Sequence, residues 1–248
     1  MYKLGGVSFI NSRPFFYGRT SPIFEIELDV PSRLNEAARA GLREATMISS
    51  LAYPLCRDQY EILPDFCIGG DGRIMSIKLY SKYEISQLWR GGIFITSQTG
   101  TSSRAFAKIC MERYGFDLFK LERKPLREAD SVILIGDQAM LFDGSAYPYC
   151  YDLGELWRDW AHCQMIYSVF LIKRPLYAEL AEPLSNFLDE SLKAFYKNPE
   201  PVMARALEIA ENGLDEALLR EYYSRLILKM DRDKFRESIS FLQDNGLI

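Results

Sequence analysis

The chain has 248 residues, of which 48% are hydrophobic and 26% charged, a composition typical of a folded globular protein and unlike collagen or a disordered chain. Thirty Lys and Arg against 34 Asp and Glu leave a formal net charge of -4, which argues against a nucleic-acid-binding protein that relies on a strongly basic surface. A chain of this length can bury a sizeable core without disulfides or a structural metal.

Neither a membrane span nor a secretion signal is predicted. No segment approaches the roughly 18 consecutive apolar residues of a membrane span, and residues 1–10 lack the apolar run and cleavage site of a signal peptide. The five cysteines are dispersed without a CxxC pair, and His162 is the single histidine. This set favours a reducing compartment and argues against a zinc site. We therefore expect a cytoplasmic protein with no metal, no cofactor, and no nucleic-acid or membrane partner.

Short β-type segments alternate with helical patterns in the first part of the chain. Strands are predicted at residues 4–10, 26–30 and 45–48. An amphipathic helix is predicted to begin at Pro31, and a shorter one to occupy residues 50–56. This alternation is typical of a parallel sheet with covering helices.

A second group of β-type segments follows, and the tail of the chain reads as helical. Its strands are predicted at residues 74–80, 93–96 and 132–135, with a helix at 81–90 and a last strand at 165–172. Beyond that strand only helices are predicted, one of them with Pro183 in its first turn.

The order of these elements indicates that a second α/β unit is inserted into a first. The predicted lobes are residues 1–85 plus 173–248 and residues 86–172. Two α/β lobes joined by paired crossings form a cleft, and open sheets bind ligands beyond the carboxyl ends of their strands. The fold class therefore predicts a small molecule held between two lobes.

Three polar loops each follow a predicted strand and lead into a predicted helix. Their candidate ligand-binding side chains are Asn11, Ser12 and Arg13 in the first loop, Ser49 and Ser50 in the second, and Thr101, Ser102 and Ser103 in the third. Amide, hydroxyl and guanidinium groups suit a carboxylate ligand, and backbone N–H groups at a helix N-terminus favour an anion. The same residue types also cap helices, so a purely structural role stays open for each loop.

Two further positions carry candidate chemistry. Gly136 and Asp137 follow a buried strand, where Asp137 can serve as a helix cap or as an acid in the cleft. His162 lies in an aromatic segment without a partner acid or nucleophile nearby in sequence, which favours a packed or surface histidine over a catalytic one.

Five segments, taken in order, resemble one enzyme family. They are residues 7–15 (VSFINSRPF), 48–53 (ISSLAY), 62–68 (ILPDFCI), 134–139 (LIGDQA) and 151–157 (YDLGELW). The chain is similar in these segments to the chorismate dehydratases, which catalyse the first step of the futalosine route to menaquinone. The resemblance extends from about residue 3 to residue 172, and each motif is specific only in combination with the others.

This resemblance implies a type II periplasmic-binding-protein fold and the loss of water from chorismate to give 3-[(1-carboxyvinyl)oxy]benzoate, without a cofactor. It places the family's active-site asparagine at Asn11. The cleft hydroxyls of the family fall on Ser49, Ser50, Ser76, Thr101 and Ser102. Two departures stand out: Arg13 occupies an often aliphatic position, and residues 161–165 (AHCQM) replace the usual Thr-Gly-Leu-Pro-Phe.

Two other functions stay open at this stage. A related enzyme of the same pathway, which forms dihydroxynaphthoate, would be favoured by a histidine in the cleft, and His162 is the sole candidate. A non-catalytic protein that binds a small carboxylate is the second alternative. Because no protein base stands out in the sequence, we expect the enolpyruvyl carboxylate of the substrate to accept the ring proton.

Overall fold

A computed structural model describes residues 1–96, 98–209 and 213–248. Its strands are β1 (Tyr2–Val7), β2 (Phe24–Asp29), β3 (Ala45–Ser49), β4 (Tyr60–Gly70), β5 (Ile77–Ser81), β6 (Ile93–Phe94), β7 (Ser131–Ile135), β8 (Tyr149–Asp152), β9 (Met165–Lys173) and β10 (Leu226–Lys229). Its α-helices are α1 (Arg13–Phe16), α2 (Pro31–Arg39), α3 (Gly100–Tyr114), α4 (Asp137–Leu141), α5 (Leu153–Ala161), α6 (Tyr177–Lys197), α7 (Glu200–Ile209), α8 (Glu216–Arg225) and α9 (Arg232–Asp244). Short 3-10 helices cover Ile10–Ser12, Ser50–Leu55, Ile85–Arg90, Leu118–Lys120 and Arg174–Leu176.

The strands form two sheets. The first sheet has the order β10-β4-β9-β3-β1-β2, and the second has the order β6-β7-β5-β8. In the first sheet β1 is parallel to β2 and β3, whereas β9 runs antiparallel to both β3 and β4. The predicted parallel sheet is therefore a mixed one, because the chain returns from the second sheet through β9 in the opposite direction.

Strand pairing locates the points where the chain crosses between the sheets. Because β5 pairs with β7 and β8, the first crossing is the segment 71–76 that follows β4. Because β9 pairs with β3 and β4, the second crossing is the segment 153–164 that follows β8. Both crossings lie before the lobe boundaries at 85/86 and 172/173 that were expected from the sequence. The division of the chain into two lobes stays a prediction.

The core of the first sheet is built on its central strands. Every residue of β3 is buried, and in β9 the run from Val169 to Ile172 is also buried, as expected for strands covered on both faces. Phe15 of α1 packs edge-on against Phe170, with ring centroids 5.1 Å apart. This contact fixes the short α1 helix, and with it the loop after β1, to the middle of the sheet.

β4 is an 11-residue strand that the sequence analysis did not assign, because Pro64 and Asp65 interrupt its apolar pattern. The strand accommodates them with a register shift between Leu63 and Cys67 and a φ of 75° at Asp65, the behaviour of a β-bulge. Arg232 donates to both carboxylate oxygens of Asp65, at 2.9 and 2.6 Å.

The tail differs from the sequence expectation in two places. Residues 226–229 form β10, which pairs with β4 at the edge of the first sheet, so the prediction of an all-helical tail was wrong. Pro183 lies inside α6, which already begins at Tyr177, and not in the first turn of a helix. Within the described residues, no helix combines the length and apolar character that a membrane span requires.

Candidate active site

Two adjoining cavities, of about 70 and 150 Å³, lie where loops of both sheets meet. Both cavities are lined by Phe9, Gln98, Ile135 and Gly136. The walls come from the carboxyl ends of β1, β3 and β7 and from the first turn of α3. The cleft therefore lies where open α/β sheets bind their ligands.

Asn11 faces the smaller cavity from the 3-10 turn that follows β1. Its Oδ1 atom is buried and has no hydrogen-bond partner among the described residues. The neighbouring Ser12 is fully buried, and its hydroxyl donates to the backbone carbonyls of Val7 and Phe9. Ser12 thus closes the loop, and Asn11 is the residue of the pair that is presented to a ligand.

Arg13 does not line either cavity. Its Nη2 atom donates to the carbonyl of Ser8 at 2.8 Å, which ties α1 back to the loop after β1. Burial lowers the pKa of the Arg13 guanidinium. In this position Arg13 supports the loop after β1, and its contact with a ligand stays a prediction.

The loop after β3 divides its two serines in the same way. Ser49 lines the smaller cavity, and its backbone N–H donates to Asn35 Oδ1 at 3.2 Å. Ser50 is fully buried, and its hydroxyl donates to the carbonyl of Ile166 at 2.6 Å. The Ser49 hydroxyl donates to the carbonyl of Tyr167 at the longer distance of 3.4 Å and lies at the cavity wall, whereas Ser50 joins β3 to β9 away from the cavity.

The third polar loop repeats this arrangement at the start of α3. Ser102 lines the smaller cavity, while the buried Ser103 donates its hydroxyl to the carbonyl of Thr99 at 2.8 Å. Thr101 belongs to the first turn of α3, but its side chain lies outside the part of the chain that the structure describes.

The second sheet contributes Ser76 and Gly136 to the smaller cavity. The N–H of Gly136 donates to the carbonyl of Ser76 at 2.7 Å, so the two cleft positions are fastened to each other. Gly136 has a φ of 65°, a left-handed conformation that favours glycine. It turns the chain from β7 into α4, whose first residue, Asp137, lines the larger cavity.

Tyr222, which was not predicted from the sequence, lies next to the site without lining either cavity. It is buried in α8, beside the side chains of Asn11 and Ser76. Burial raises the pKa of Tyr222, which those two hydrogen-bonding neighbours lower only in part, so its hydroxyl is protonated at neutral pH. The next residue, Tyr223, donates its hydroxyl to the carbonyl of Ile10 at 2.9 Å. The one sequence feature that could have indicated this position is the pair of adjacent tyrosines in an amphipathic helix of the tail.

Strands β9 and β10 complete the smaller cavity with residues that the sequence analysis also left out: Tyr167, Ser168 and Leu226. The hydroxyl of Tyr167 is buried without a partner among the described residues, and burial raises its pKa well above that of an ordinary tyrosine. Their position at the cavity depends on strand pairing, because β9 runs antiparallel to β3 and so brings residues 167 and 168 beside the end of β3.

The described lining residues include one carboxylate, Asp137, and neither Lys nor Arg. An anionic ligand would therefore meet hydroxyls, amides and backbone N–H groups. The N-terminus of the 15-residue α3 faces the cleft through Ser102, and the N–H groups and dipole of a helix N-terminus favour negative charge. The arrangement suits a carboxylate that is oriented without a full positive charge beside it.

His162 lies outside the cleft. It is exposed at the C-terminal end of α5, where it adopts a left-handed φ of 57° and its N–H donates to the carbonyl of Arg158. Among the described residues, no group of three or more His, Cys, Asp or Glu side chains is arranged to hold a metal ion.

Comparisons of the sequence with known proteins point to one biosynthetic pathway. A family model described as menaquinone biosynthesis matches residues 2–243. The chorismate dehydratase of Thermus thermophilus is 26% identical over 194 residues, which cover 70% of each protein.

Comparisons of the structure confirm the predicted periplasmic-binding-protein-like fold. A protein of Archaeoglobus fulgidus superposes with a TM-score of 0.76 at 20% identity, covering 100% of this chain and 98% of that one. The periplasmic aliphatic sulphonate binding protein of Escherichia coli gives a TM-score of 0.63 at 10% identity, covering 100% of this chain and 88% of its own. A Candida albicans protein described as having the generic periplasmic binding protein fold gives 0.64 at 10% identity, with coverage of 100% and 90%.

Proposed function

Since this chain belongs to the menaquinone biosynthesis family, we propose that it is a chorismate dehydratase, a carbon–oxygen lyase that converts chorismate to 3-[(1-carboxyvinyl)oxy]benzoate. The likeness to the Thermus thermophilus enzyme supports this substrate. In the reaction, the ring carbon that bears the enolpyruvyl ether loses its hydrogen as a proton. The electron pair of that bond forms the third ring double bond, and the neighbouring carbon releases its hydroxyl group, which leaves as water.

The observation that carries the proposal is the lining of the smaller cavity, where Asn11, Ser76 and the other described side chains include hydrogen-bonding groups but no charged group. Formation of a benzene ring supplies much of the driving force, so the protein has mainly to bind, orient and protect the substrate from competing rearrangement. Neutral donors fulfil this role without a basic side chain that would compete for the ring proton.

Asn11 is the residue that we assign to catalysis. The orphan Oδ1 atom can accept a hydrogen bond from the substrate hydroxyl, and the amide N–H groups can donate to a carboxylate or to the departing oxygen. Ser49, Ser76 and Ser102 supply hydroxyl donors from three different loops around the same cavity. The backbone of the α3 N-terminus completes the proposed carboxylate site.

The proton acceptor in this proposal is the enolpyruvyl carboxylate of chorismate itself. Asp137 is the single carboxylate among the described lining residues, and it lies in the larger cavity and not in the one that holds Asn11. A substrate carboxylate held next to the ring hydrogen removes the need for a protein base, because it accepts the ring proton and passes it to the departing hydroxyl group, which then leaves as water.

The dihydroxynaphthoate-forming alternative depended on a histidine in the cleft. The exposure of His162 at the end of α5 removes the observation that would have favoured it. The second alternative, a protein that binds chorismate without converting it, is distinguished from an enzyme by measuring whether product is formed.

Incubation of the purified protein with chorismate, followed by mass spectrometry of the products, tests the proposal. We expect 3-[(1-carboxyvinyl)oxy]benzoate to accumulate in proportion to protein concentration, above a control without protein that reports spontaneous breakdown. Chorismate that is retained by the protein but recovered unchanged would identify a binding protein and would contradict the proposed activity.

A further inference from the structure

Asp152 occupies the point where the two chain crossings meet. It ends β8, directly before α5, and its side chain is buried. Its Oδ1 accepts hydrogen bonds from the N–H groups of Gly154, at 2.9 Å, and Ile74, at 3.0 Å. Its Oδ2 accepts from the N–H of Met75 at 2.6 Å. One carboxylate thus joins the first crossing, 71–76, to the start of the second.

The bond to Gly154 alone would make Asp152 an ordinary helix N-cap. The bonds to Ile74 and Met75 are additional, and they reach a segment almost 80 residues earlier in the chain. Hydrogen bonds to a charged acceptor are stronger than neutral ones, and here they are shielded from water. Capping of α5 therefore accounts for only part of the arrangement.

The segment that Asp152 holds is strained. The N–H of Ser76 donates to the carbonyl of Ile74 at 2.8 Å, which closes a three-residue γ-turn around Met75. Met75 has a φ of 68°, in the left-handed region that residues other than glycine rarely adopt. Such a conformation persists only where its surroundings hold it, and the bond from the Met75 N–H to Asp152 is a contact that does so.

The strained turn ends at a cleft residue. Ser76 lines the smaller cavity beside Tyr222, and its carbonyl accepts from the N–H of Gly136, which lines the same cavity. The position of the Ser76 hydroxyl is therefore set by the conformation of Met75. A relaxed turn would move this hydroxyl relative to Asn11.

We propose that Asp152 is a positioning residue for the reaction: by accepting the N–H groups of Ile74 and Met75 it holds the γ-turn that presents Ser76 to the substrate. The kinetic part of this inference rests on the proposed function, while the hydrogen-bonding part does not. Asp152 itself does not touch the substrate; it acts through Ser76.

The substitution Asp152→Ser separates positioning from capping, because serine caps a helix about as well as aspartate but has no second oxygen for Met75. We expect kcat to fall about a hundredfold, the loss that a misplacement of about 1 Å produces. The matched control is Asp231→Ser, at the N-cap of α9, where the native carboxylate accepts from Asp233 and Lys234. This control is expected to change kcat by no more than about twofold.

A double substitution supplies a readout that a purely structural role would not move. If Asp152 acts through Ser76, Asp152→Ser should lower kcat in the parent background and change it by less than about threefold in the Ser76→Ala background. Equal kinetic losses in both backgrounds, or an unchanged kcat for Asp152→Ser in the parent, would overturn the proposal.

Amide hydrogen exchange provides a test that needs no substrate. The Met75 N–H should exchange faster in Asp152→Ser than in the parent, while the amides of β3 keep their protection. Unchanged exchange at Met75 would show that Asp152 does not hold the turn. A parent protein that fails to convert chorismate would contradict the proposed function and leave the exchange result to decide the role of Asp152 at the turn.

Discussion

The wall that the first sheet contributes to the cleft and the crossing to the second sheet are held by different hydrogen-bonding arrangements. On the wall from the first sheet, serine hydroxyls donate to backbone carbonyls: Ser12 to Val7 and Ser50 to Ile166. At the crossing between the sheets, the carboxylate of Asp152 accepts from three backbone N–H groups. The first arrangement is neutral and stays within one sheet, whereas the second is charged and joins two segments.

This difference predicts different responses to substitution. A serine anchor contributes one neutral hydrogen bond, worth about 1 kcal/mol net, and more when its buried partner is left unsatisfied. A change at the crossing instead alters the geometry between the two sheets, on which the cavity depends. Substitutions behind the first wall should mainly lower stability, whereas substitutions at the crossing should lower stability and activity together.

The largest loss of stability is expected from Gly154→Ala. A Cβ atom at this position would lie 1.9 Å from the carbonyl oxygen of Gly72, so the backbones of the two crossings must separate. We expect the free energy of unfolding to fall by about 3 kcal/mol, the upper end of the usual cost of overpacking. Urea unfolding of the variant measures this loss.

Gly70→Ala, at the last residue of β4 and directly before the first crossing, is the matched control. Its added methyl group would meet the end of the Ile74 side chain at 3.0 Å, a contact that a rotamer change relieves. A Gly154→Ala protein as stable as Gly70→Ala would show that the crossings are not held in close contact.

A pair of neighbouring serines tests the first wall. Ser50→Ala removes the buried hydroxyl that donates to Ile166 and should lower the free energy of unfolding by about 2 kcal/mol, with little change in KM. Ser49→Ala removes a hydroxyl that lines the cavity and should raise KM for chorismate with little change in stability. Thermal unfolding and steady-state kinetics of the two variants distinguish these roles. A loss of stability in Ser49→Ala together with a raised KM in Ser50→Ala would contradict our assignment of the two serines.

The smallest effect is expected at Asp130, a carboxylate that also accepts from a backbone N–H but lines neither cavity. Its bond from Gly92, at 3.0 Å, lowers the pKa of Asp130, and Lys82 and Lys124 add to the shift. A pKa that is lower in the folded than in the unfolded state stabilises the fold above the ordinary aspartate pKa, and this contribution is lost as the pH falls through the folded value.

Asp130→Asn should therefore lower the free energy of unfolding by about 1 kcal/mol at pH 7, since the side chain is partly exposed and screened. The difference from the parent should shrink as the pH falls below about 4. Urea unfolding of both proteins at several pH values measures this difference in the free energy of unfolding. A difference that is constant with pH would mean that the carboxylate charge contributes nothing.

Much of the fold follows from local patterns. Periodicity predicts β3 and β7 as apolar strands and α2 as an amphipathic helix, and all three are present in the structure. β10 was assigned to a helix because its short apolar run lacks the alternation of a half-exposed strand and pairs only with a distant segment. The structure of such a segment depends on pairing with a strand that is distant in the sequence, and the local sequence pattern carries no information about that pairing.

The site was predictable to the level of its loops and not of its individual side chains. Asn11, Ser49 and Ser102 line the cavity, whereas their neighbours Ser12, Ser50 and Ser103 do not line it and are held by hydrogen bonds to backbone carbonyls. Each pair has nearly the same chemistry, so residue type cannot tell which member faces the ligand. Tyr222 was missed for a related reason, because its place beside Asn11 depends on how the tail packs over the first sheet.

The turnover number of Asn11→Asp, measured together with its melting temperature, tests the central claim most directly. Aspartate keeps the shape and the capping ability of asparagine, but it replaces the amide donors with acceptors and adds a negative charge to a site for a dianion. We predict an unchanged melting temperature and a turnover number lower by about a hundredfold to a thousandfold, the scale set by loss of one oriented donor. A folded variant whose turnover number stays within about threefold of the parent would contradict the assignment of Asn11 to catalysis.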